Sequence, residues 1–448
     1  MRIVIANTDC KFGGVTTFML ALQSALRERG HGCGMFFFQD GPMREHLPAD
    51  AAAHFGSLTD LLRLVDSERI DVVQANNIDW FTGISAVRRL GARLVLTAHK
   101  VRAPVYTHGW TSRDCDAFVA VSQWIREALQ PFTDVPIQAV PNGIDTHRFY
   151  PGSPEYGAMP IVAWVGRGGA ARKRLQAFAE ITPALRRAGA RIWVIDPHGP
   201  ETLAIEHPTA AATLRETAEV WHGVSSAEMP DIYRQVAASL GCVVSTASME
   251  GLPLTLLEAQ ACGCVVVAPD VLGINECVSA SSGGVLYPLE MPAEALAALV
   301  VQTIADPAAV RVRQHAAASH VRAHFSLERM AERYLGVYRD APYPAAGTAR
   351  ARVRARARFS PVVQPAGYVA WRWGVGERQY DVSRELAGAG QWPLAAAAAR
   401  ASLRAAPTIY LKPARLTHLL RTQLHGGFRT DARHRRSPVP IRRGSESI

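Results

Sequence analysis

The sequence predicts an α/β protein made of two successive parallel-sheet units and a basic, partly helical C-terminal extension. Three observations carry this: apolar runs that alternate with helix-like stretches, a Pro/Gly-dense break near residue 150, and a charge balance that changes sign after residue 340. At 448 residues the chain exceeds one ordinary core, so at least two domains are expected. A hydrophobic share of 48% with 20% charged residues describes a globular protein, and no apolar run is long enough to span a bilayer. The opening MRIVIANTDC reads as a first strand and not as a signal peptide.

The first unit is expected over 1–150. Its strands are the runs Arg2–Ala6, Met35–Phe38, Asp71–Gln74, Arg93–Thr97 and Ala117–Val121, each followed by a periodic or mixed stretch. Short apolar runs of this kind suit parallel strands buried on both faces. The stretch VPNGIDTHRFYPGSPEYGAMP, residues 140–160, is the linker, shaped by Asn142-Gly143. The second unit is expected over 156–325, with strands Ile161–Val165, Arg191–Ile195, Leu240–Ser245 and Cys264–Ala268. Ser326 caps a helix over 326–340. The extension, 341–448, holds 19 Lys/Arg against 5 Asp/Glu, whereas the first 340 residues hold 30 against 34. Within it, ARARVRARARF (349–359) is a low-complexity basic run, residues 383–424 regain helical character as a hairpin broken at Pro407, and the end reads as a disordered tail.

Seven cysteines are scattered without metal-type or redox spacing, which suits a reducing compartment and a packing role. No Asp-x-Asp lies beside a phosphate loop.

Chemistry concentrates in SMEGLPLTLLEAQACGC, residues 248–264. LGCVVSTAS reads as a strand, MEGLPLT as a loop, LTLLEAQAC as a helix stopped at Gly263, and CVVVAP as the next strand. In such a βαβ unit, ligands bind beyond the carboxyl ends of the strands, where a helix N-terminus offers free N–H groups. Glu250 hangs at the mouth of that crevice and Glu258 lies about one turn into the helix. A structural reading competes: Thr255-x-x-Glu258 is also a capping-box pattern, and Glu250 could be a solvated loop residue. His99, at the end of LVLTAH, could likewise be a hydrogen-bonded structural histidine.

The segment EGLPLTLLEAQACGCVVVAPDVLGINECV closely resembles the nucleotide-binding segment of the retaining family-4 glycosyltransferases, whose GT-B fold sets two Rossmann-like domains across a cleft. GGVTTFMLALQSALRERGH (13–31), DVVQANN (71–77), LVLTAHK (94–100), AVSQWIREAL (120–129), VPNGIDTHRF (140–149), VGRGGAARKR (165–174) and GGVLYP (283–288) resemble further family motifs in the family's order, over residues 1–340. The resemblance implies that Glu258 binds the nucleotide ribose and that Glu250 lies beside the transferred sugar, with Gly251, Leu252 and Pro253 giving backbone contacts. It assigns Arg167 to the diphosphate, with Arg172 or Lys173 as its cationic partner. Ala247 stands where many members have Ser. It places His99, and less strongly His108, near donor sugar and acceptor, and makes Gly13 and Gly14 a loop approached by acceptor or phosphate. A growing negative charge on a departing nucleoside diphosphate needs such cations in place beforehand.

A glycosyltransferase that moves a sugar from a nucleotide-diphosphate sugar to a glycan, lipid-linked or small-molecule acceptor is therefore expected. Surface polysaccharide or glycolipid assembly is the expected setting, with no metal cofactor, in the cytoplasm or at the inner membrane face. Closure about 140–160 would exclude water from the donor. Three rivals stand. A nicotinamide-dependent oxidoreductase lacks its G-x-G-x-x-G in NTDCKFGGVTTF. A GT-B nucleotide-sugar epimerase would share the architecture. A non-catalytic anionic-ligand binding protein would rest on the basic extension, which could also meet an anionic membrane; a nucleic-acid partner is not expected, because few aromatics interleave its charges.

Overall fold

The computed structural model describes residues 1–78, 82–101, 115–133, 135–153, 159–197, 199–341 and 413–426, with a few single residues between 380 and 403. It divides into two compact units, Met1–Arg358 and Phe359–Ile448. Both sheets belong to the first unit.

The first sheet is wholly parallel and holds β1 (Arg2–Asp9), β2 (Gly32–Gln39), β3 (Ala53–Phe55), β4 (Val72–Asn76), β5 (Arg93–Ala98), β6 (Ala117–Ala120) and β7 (Ile137–Ala139). Their spatial order is β3-β2-β1-β4-β5-β6-β7. With them run helices α1 (Gly14–Glu28), α2 (Leu58–Ser67) and α3 (Gln123–Leu129). The second sheet, also parallel, holds β8 (Ile161–Val165), β9 (Arg191–Ile195), β10 (Glu219–Trp221), β11 (Cys242–Val244), β12 (Val265–Pro269) and β13 (Val285–Tyr287) in the order β10-β9-β8-β11-β12-β13. Its helices are α4 (Leu175–Arg187), α5 (Gly199–Glu206), α6 (Pro208–Thr217), α7 (Met229–Ala238), α8 (Leu254–Ala261), α9 (Ala293–Ala305) and α10 (Pro307–His324).

The expected strands lie where the apolar runs placed them. β4, β5, β6 and β12 are buried at every position, as strands covered on both faces must be. Helix starts follow local chemistry too. Ser57 and Asp60 close a reciprocal capping box at α2, and the Ser326 hydroxyl accepts from Arg329 N at the start of α11 (Leu327–Asp340).

The helix expected as a separate segment over 326–340 returns to the first sheet. Leu327, Met330, Tyr334 and Tyr338 share a buried core with Phe18, Met19 and Leu22 of α1. Arg93, buried in β5, explains itself here: its guanidinium donates to the carbonyls of Arg339 (3.2 Å) and Ala341 (3.4 Å), the orphan acceptors at the end of α11. Gly143 lies against this helix, where an added Cβ would meet Ser326 O at 2.7 Å. The expected hinge is thus packed at its first half; residues 154–158 lie outside the described set.

All seven cysteines are buried and none forms a disulfide. Burial pushes the thiols of Cys33, Cys242 and Cys262 up to about 12, so they pack as small apolar groups. Among the described residues no single helix is long and apolar enough to cross a membrane. In the second unit, α12 (Pro413–Gly426) overlaps the end of the 383–424 stretch expected as a hairpin and runs two residues past it; Tyr380, Ala399 and Leu419 are buried together in this unit, and Arg415 lies over the Tyr380 ring at 4.7 Å. The 349–359 basic run, Pro407 and the final tail lie outside the described residues.

Each sheet reverses strand order once, between β1 and β4 in the first and between β8 and β11 in the second. Loops leaving the carboxyl ends of neighbouring strands diverge at such points and leave a crevice. Of the predicted site residues, Gly13, Arg167, Arg172, Lys173 and Glu250 to Pro253 lie on these loops, Gly14 and Glu258 on the helices that follow them, and His99 just after β5.

Candidate active site

Two loops make the second crevice. A basic one, Gly166–Arg174, joins β8 to α4; an acidic one, Ser245–Pro253, joins β11 to α8. They are sewn together through backbone. The Thr246 hydroxyl donates to the carbonyls of Lys173 (2.8 Å) and Arg174 (3.0 Å), and Ser248 N donates to Arg172 O at 2.8 Å. Trp164 Nε1 in turn holds the Thr246 hydroxyl at 3.2 Å. Asp196, fully buried at the end of β9, accepts from Gly168 N and fixes the other side of the basic turn.

That stitching decides where the charges meet. Arg172 Nη1 lies 2.7 Å from Glu250 Oε2, and Lys173 Nζ lies 2.8 Å from Glu250 Oε1. The Glu250 side chain is 10% exposed, so the pairing operates in a partly desolvated place where Coulomb attraction is strong. Glu250 is therefore not a solvated loop residue. Both candidate cations, and not one of them, converge on it. Arg167 is exposed at the entrance of the same loop.

Glu258 is a carboxylate of a different kind. α8 begins at Leu254 with Pro253 as its N-cap and no side-chain cap, so the Thr255-x-x-Glu258 capping box does not form. The helix starts two residues too early for it, which puts Glu258 in the second turn. Its Oε2 faces the Tyr233 hydroxyl of α7 at 3.3 Å. Burial pushes the Glu258 carboxyl up to about 7, opposed by the Tyr233 hydrogen bond and by the Arg148 charge. One βαβ unit thus carries one carboxylate held by cations and another whose carboxyl is raised by burial to about 7.

The first sheet supplies neutral groups. His99 follows β5; its Nε2 is 2.9 Å from Asn76 Oδ1, and its ring meets Phe18 edge-on at 4.7 Å. Asn76 Nδ2 donates to Ala6 O, which leaves Oδ1 as acceptor, so His99 carries its proton on Nε2 and keeps Nδ1 as an acceptor. Burial, then the Lys100 charge, pulls the imidazole down to about 3. It is neutral at physiological pH.

Gly13, with φ +151°, takes a conformation that suits glycine and opens α1 without a side-chain cap. A Cβ on Gly14 would touch Leu254 Cδ1 at 3.6 Å, so the uncapped starts of α1 and α8 approach each other across the cleft. Gly251 has no room for a side chain, since a Cβ would lie 2.3 Å from His99 O. Leu252 and Pro253 are buried behind it, with Leu252 O accepting from Asn142 Nδ2 at 3.3 Å. The geometry therefore brings Glu250, Gly251, Arg172, Lys173 and His99 into one neighbourhood, with Glu258 one helical turn deeper. His108 lies outside the described residues.

Comparison with known proteins bears on the family and the fold. Residues 12–148 match the family described as Glycosyltransferase Family 4, and residues 159–306 match the one described as Glycosyl transferases group 1. The chain is a GT-B glycosyltransferase. Alpha-maltose-1-phosphate synthase of Mycolicibacterium smegmatis is 29% identical over 327 residues, 62% of this chain and 81% of that one. The lipopolysaccharide core biosynthesis mannosyltransferase LpcC of Rhizobium leguminosarum is 29% identical over 268 residues, 56% and 72% of the two chains. The crystal structure of Anabaena HepE in complex with UDP superposes with a TM-score of 0.61 at 16% identity, covering 75% of this glycosyltransferase and 99% of HepE; at that identity the likeness shows the fold.

Sequence reasoning missed several residues of the site. Tyr233 is not singled out by the sequence, and Asn76 and Trp124 stand there only within the longer motifs DVVQANN and AVSQWIREAL. Their roles depend on neighbours 23 to 127 positions away in the chain. Arg148 was quoted only as part of a linker motif.

Proposed function

We propose that this glycosyltransferase moves a sugar from a nucleotide-diphosphate sugar with retention of configuration, the donor lying on the second sheet and the acceptor on the first. The observation that carries the reading is the contrast between Glu250, bracketed by Arg172 and Lys173, and Glu258, buried against Tyr233. Two carboxylates set in such different surroundings within one unit suit two different tasks. Glu258, once ionised, accepts hydrogen bonds from a vicinal diol such as the nucleotide ribose. Arg172 and Lys173, with exposed Arg167, exchange part of their hold on Glu250 for the diphosphate and stabilise the charge that grows on it. These cations fill the part that a metal ion plays in other transferases.

In the reaction, the bond from the anomeric carbon to the phosphate oxygen breaks and its electron pair stays on the phosphate. An acceptor hydroxyl adds on the same face, and its proton passes to the departing phosphate oxygen. Glu250 stabilises the oxocarbenium-like sugar or orients its hydroxyls. His99, neutral at working pH, positions a hydroxyl through Nδ1 and does not donate a proton as an imidazolium. A glycan, lipid-linked saccharide or small molecule is the acceptor. The likeness to the lipopolysaccharide core biosynthesis mannosyltransferase LpcC supports surface polysaccharide or glycolipid assembly. The cytoplasm, with the basic extension against the anionic inner membrane face, is the proposed location.

A melting-temperature screen with UDP, GDP, ADP and their sugar conjugates tests the donor assignment. Ligand at about a hundred times its dissociation constant adds roughly 2.7 kcal/mol to a domain that binds only when folded. One nucleotide should raise the midpoint in the wild type and less in Glu258→Ala. No shift with any nucleotide would overturn the donor assignment.

A further inference from the structure

The acidic loop is held from two sides. Its side-chain end, the Glu250 carboxylate, is fixed by cations of the second sheet; its backbone is fixed from the first. Trp124 Nε1, on α3, lies 3.0 Å from both Glu250 O and Gly251 O, and Asn142 Nδ2 reaches Leu252 O. Three successive carbonyls, 250 to 252, thus accept from the other sheet's residues. A second connection runs the opposite way. Glu276, on the turn after β12, accepts from Gln123 N at 2.7 Å and Trp124 N at 2.8 Å, the first free donors of α3.

Ordinarily a helix draws its cap from its own chain. α3 has Ser122 at its N-cap, a residue type that usually does this, yet that hydroxyl makes no cap bond and is buried without a hydrogen-bond partner. Two charge-assisted bonds from a carboxylate of the other sheet take its place. Such bonds are short and about twice as strong as neutral ones, and a carboxylate at a helix start also gains from the helix dipole.

We propose that Glu276 and Trp124 form a clasp between the two sheets that positions Glu250 for sugar transfer. Glu276 fixes the start of α3, which aims the Trp124 indole, which holds the backbone of Glu250 and Gly251. The clasp closes only when the sheets approach, so the reactive placement of Glu250 is tied to closure of the cleft. Neither residue lies on the proposed nucleotide contacts, so both are positioning residues. This inference rests on the proposed transfer reaction for its kinetic test, though not for its structural one.

The experiment uses the full chain with Trp124→Phe, which keeps the ring and removes the N–H, and Glu276→Gln, which keeps size and removes charge. Expected are a kcat lowered about tenfold, as loss of one such oriented contact does, and a nucleotide Kd within twofold of wild type. The double variant should lose little more than the worse single one, because both act through one strut. Solution scattering should show a larger radius of gyration for Glu276→Arg, which sets a cation at the α3 start. Unchanged kcat in both variants, or a nucleotide Kd that weakens by the same factor as kcat/KM, would overturn the proposal. Should Trp124→Phe fail to fold, Glu276→Gln carries the kinetic test alone. If the wild type binds no nucleotide, the donor reading fails, and the scattering comparison still decides the clasp: an unchanged radius for Glu276→Arg refutes it.

Discussion

The two crevices of this molecule share a topology and differ in chemistry. Both lie where a parallel sheet reverses strand order, and both receive a helix N-terminus. Where it faces the acidic loop, the first presents neutral polar groups, Asn76 and the uncharged His99 with Gln74 behind them, while Asp9 and Lys11 at its β1 edge pair with each other at 2.7 Å. The second is lined by Arg167, Arg172, Lys173, Glu250 and Glu258. The fold decides where a ligand can lie, and the loops decide which kind. Charged groups set against a diphosphate, and neutral ones against sugar hydroxyls, are what a transfer between a charged donor and a neutral acceptor requires.

The largest effect that would break this comparison is expected at Glu250. Glu250→Gln should lower transfer about a hundredfold to a thousandfold, the range for removing one aligned electrostatic group. Nucleotide affinity should hold or tighten, because Arg172 and Lys173 lose their competing carboxylate. Steady-state kinetics beside calorimetry reads both, and a matching loss of nucleotide affinity would assign Glu250 to nucleotide binding instead of to the transfer step.

Next comes the neutral side. His99→Ala should reduce kcat about tenfold to a hundredfold with nucleotide Kd unchanged. It should also alter acid stability. A histidine held down to about 3 contributes stability that is present above its unfolded pKa of 6.5 and is lost as pH falls toward 3. Denaturant titrations from pH 7 to pH 4 should therefore fall more steeply for the wild type than for the variant.

Glu258 titrates in the opposite sense. With its carboxyl raised from 4.5 to about 7, its contribution to stability is present below 4.5 and is lost as pH rises to about 7. Nucleotide affinity should rise over the same step, since the ionised form is the better acceptor for ribose hydroxyls. Calorimetry from pH 6 to pH 8 should show that rise, and Glu258→Gln should flatten it. The smallest effect is expected at Tyr233→Phe. Loss of its hydrogen bond, worth about 1 kcal/mol, should move the midpoint of the affinity rise upward by a fraction of a pH unit and leave kcat at saturating donor nearly unchanged.

How much of this was legible in the sequence depended on burial. Every expected strand is present, because strands covered on both faces must be apolar throughout. The four strands that escaped notice as strands, β3, β7, β10 and β13, are the edges of the two sheets. Each has three residues and shows a mixed face, as in the half-exposed Glu219-Val220-Trp221, so no apolar run announces it. The return of α11 to the first core was hidden for another reason. Its amphipathic pattern announces a buried face but not the partner of that face.

The site divides in the same way. Glu250 and Glu258 stood out because they share one loop and the helix that follows it, and Arg172 and Lys173 through the resemblance of VGRGGAARKR to a family motif. The Glu250 pairing itself was not legible, since it depends on Thr246 and Ser248 holding the Arg172–Lys173 turn across some 75 residues. Glu276 and Trp124 were quoted within larger motifs, and only the approach of the two sheets joins them. Long-range polar contacts leave no periodic trace.

The most direct test of the division between a charged donor crevice and a neutral acceptor crevice is calorimetric titration of UDP, GDP and ADP into the wild type, Arg172→Ala/Lys173→Ala and His99→Ala. The account predicts that one nucleotide binds the wild type and His99→Ala alike and binds the double variant at least tenfold more weakly. Equal binding by all three proteins, or a loss confined to His99→Ala, would contradict it.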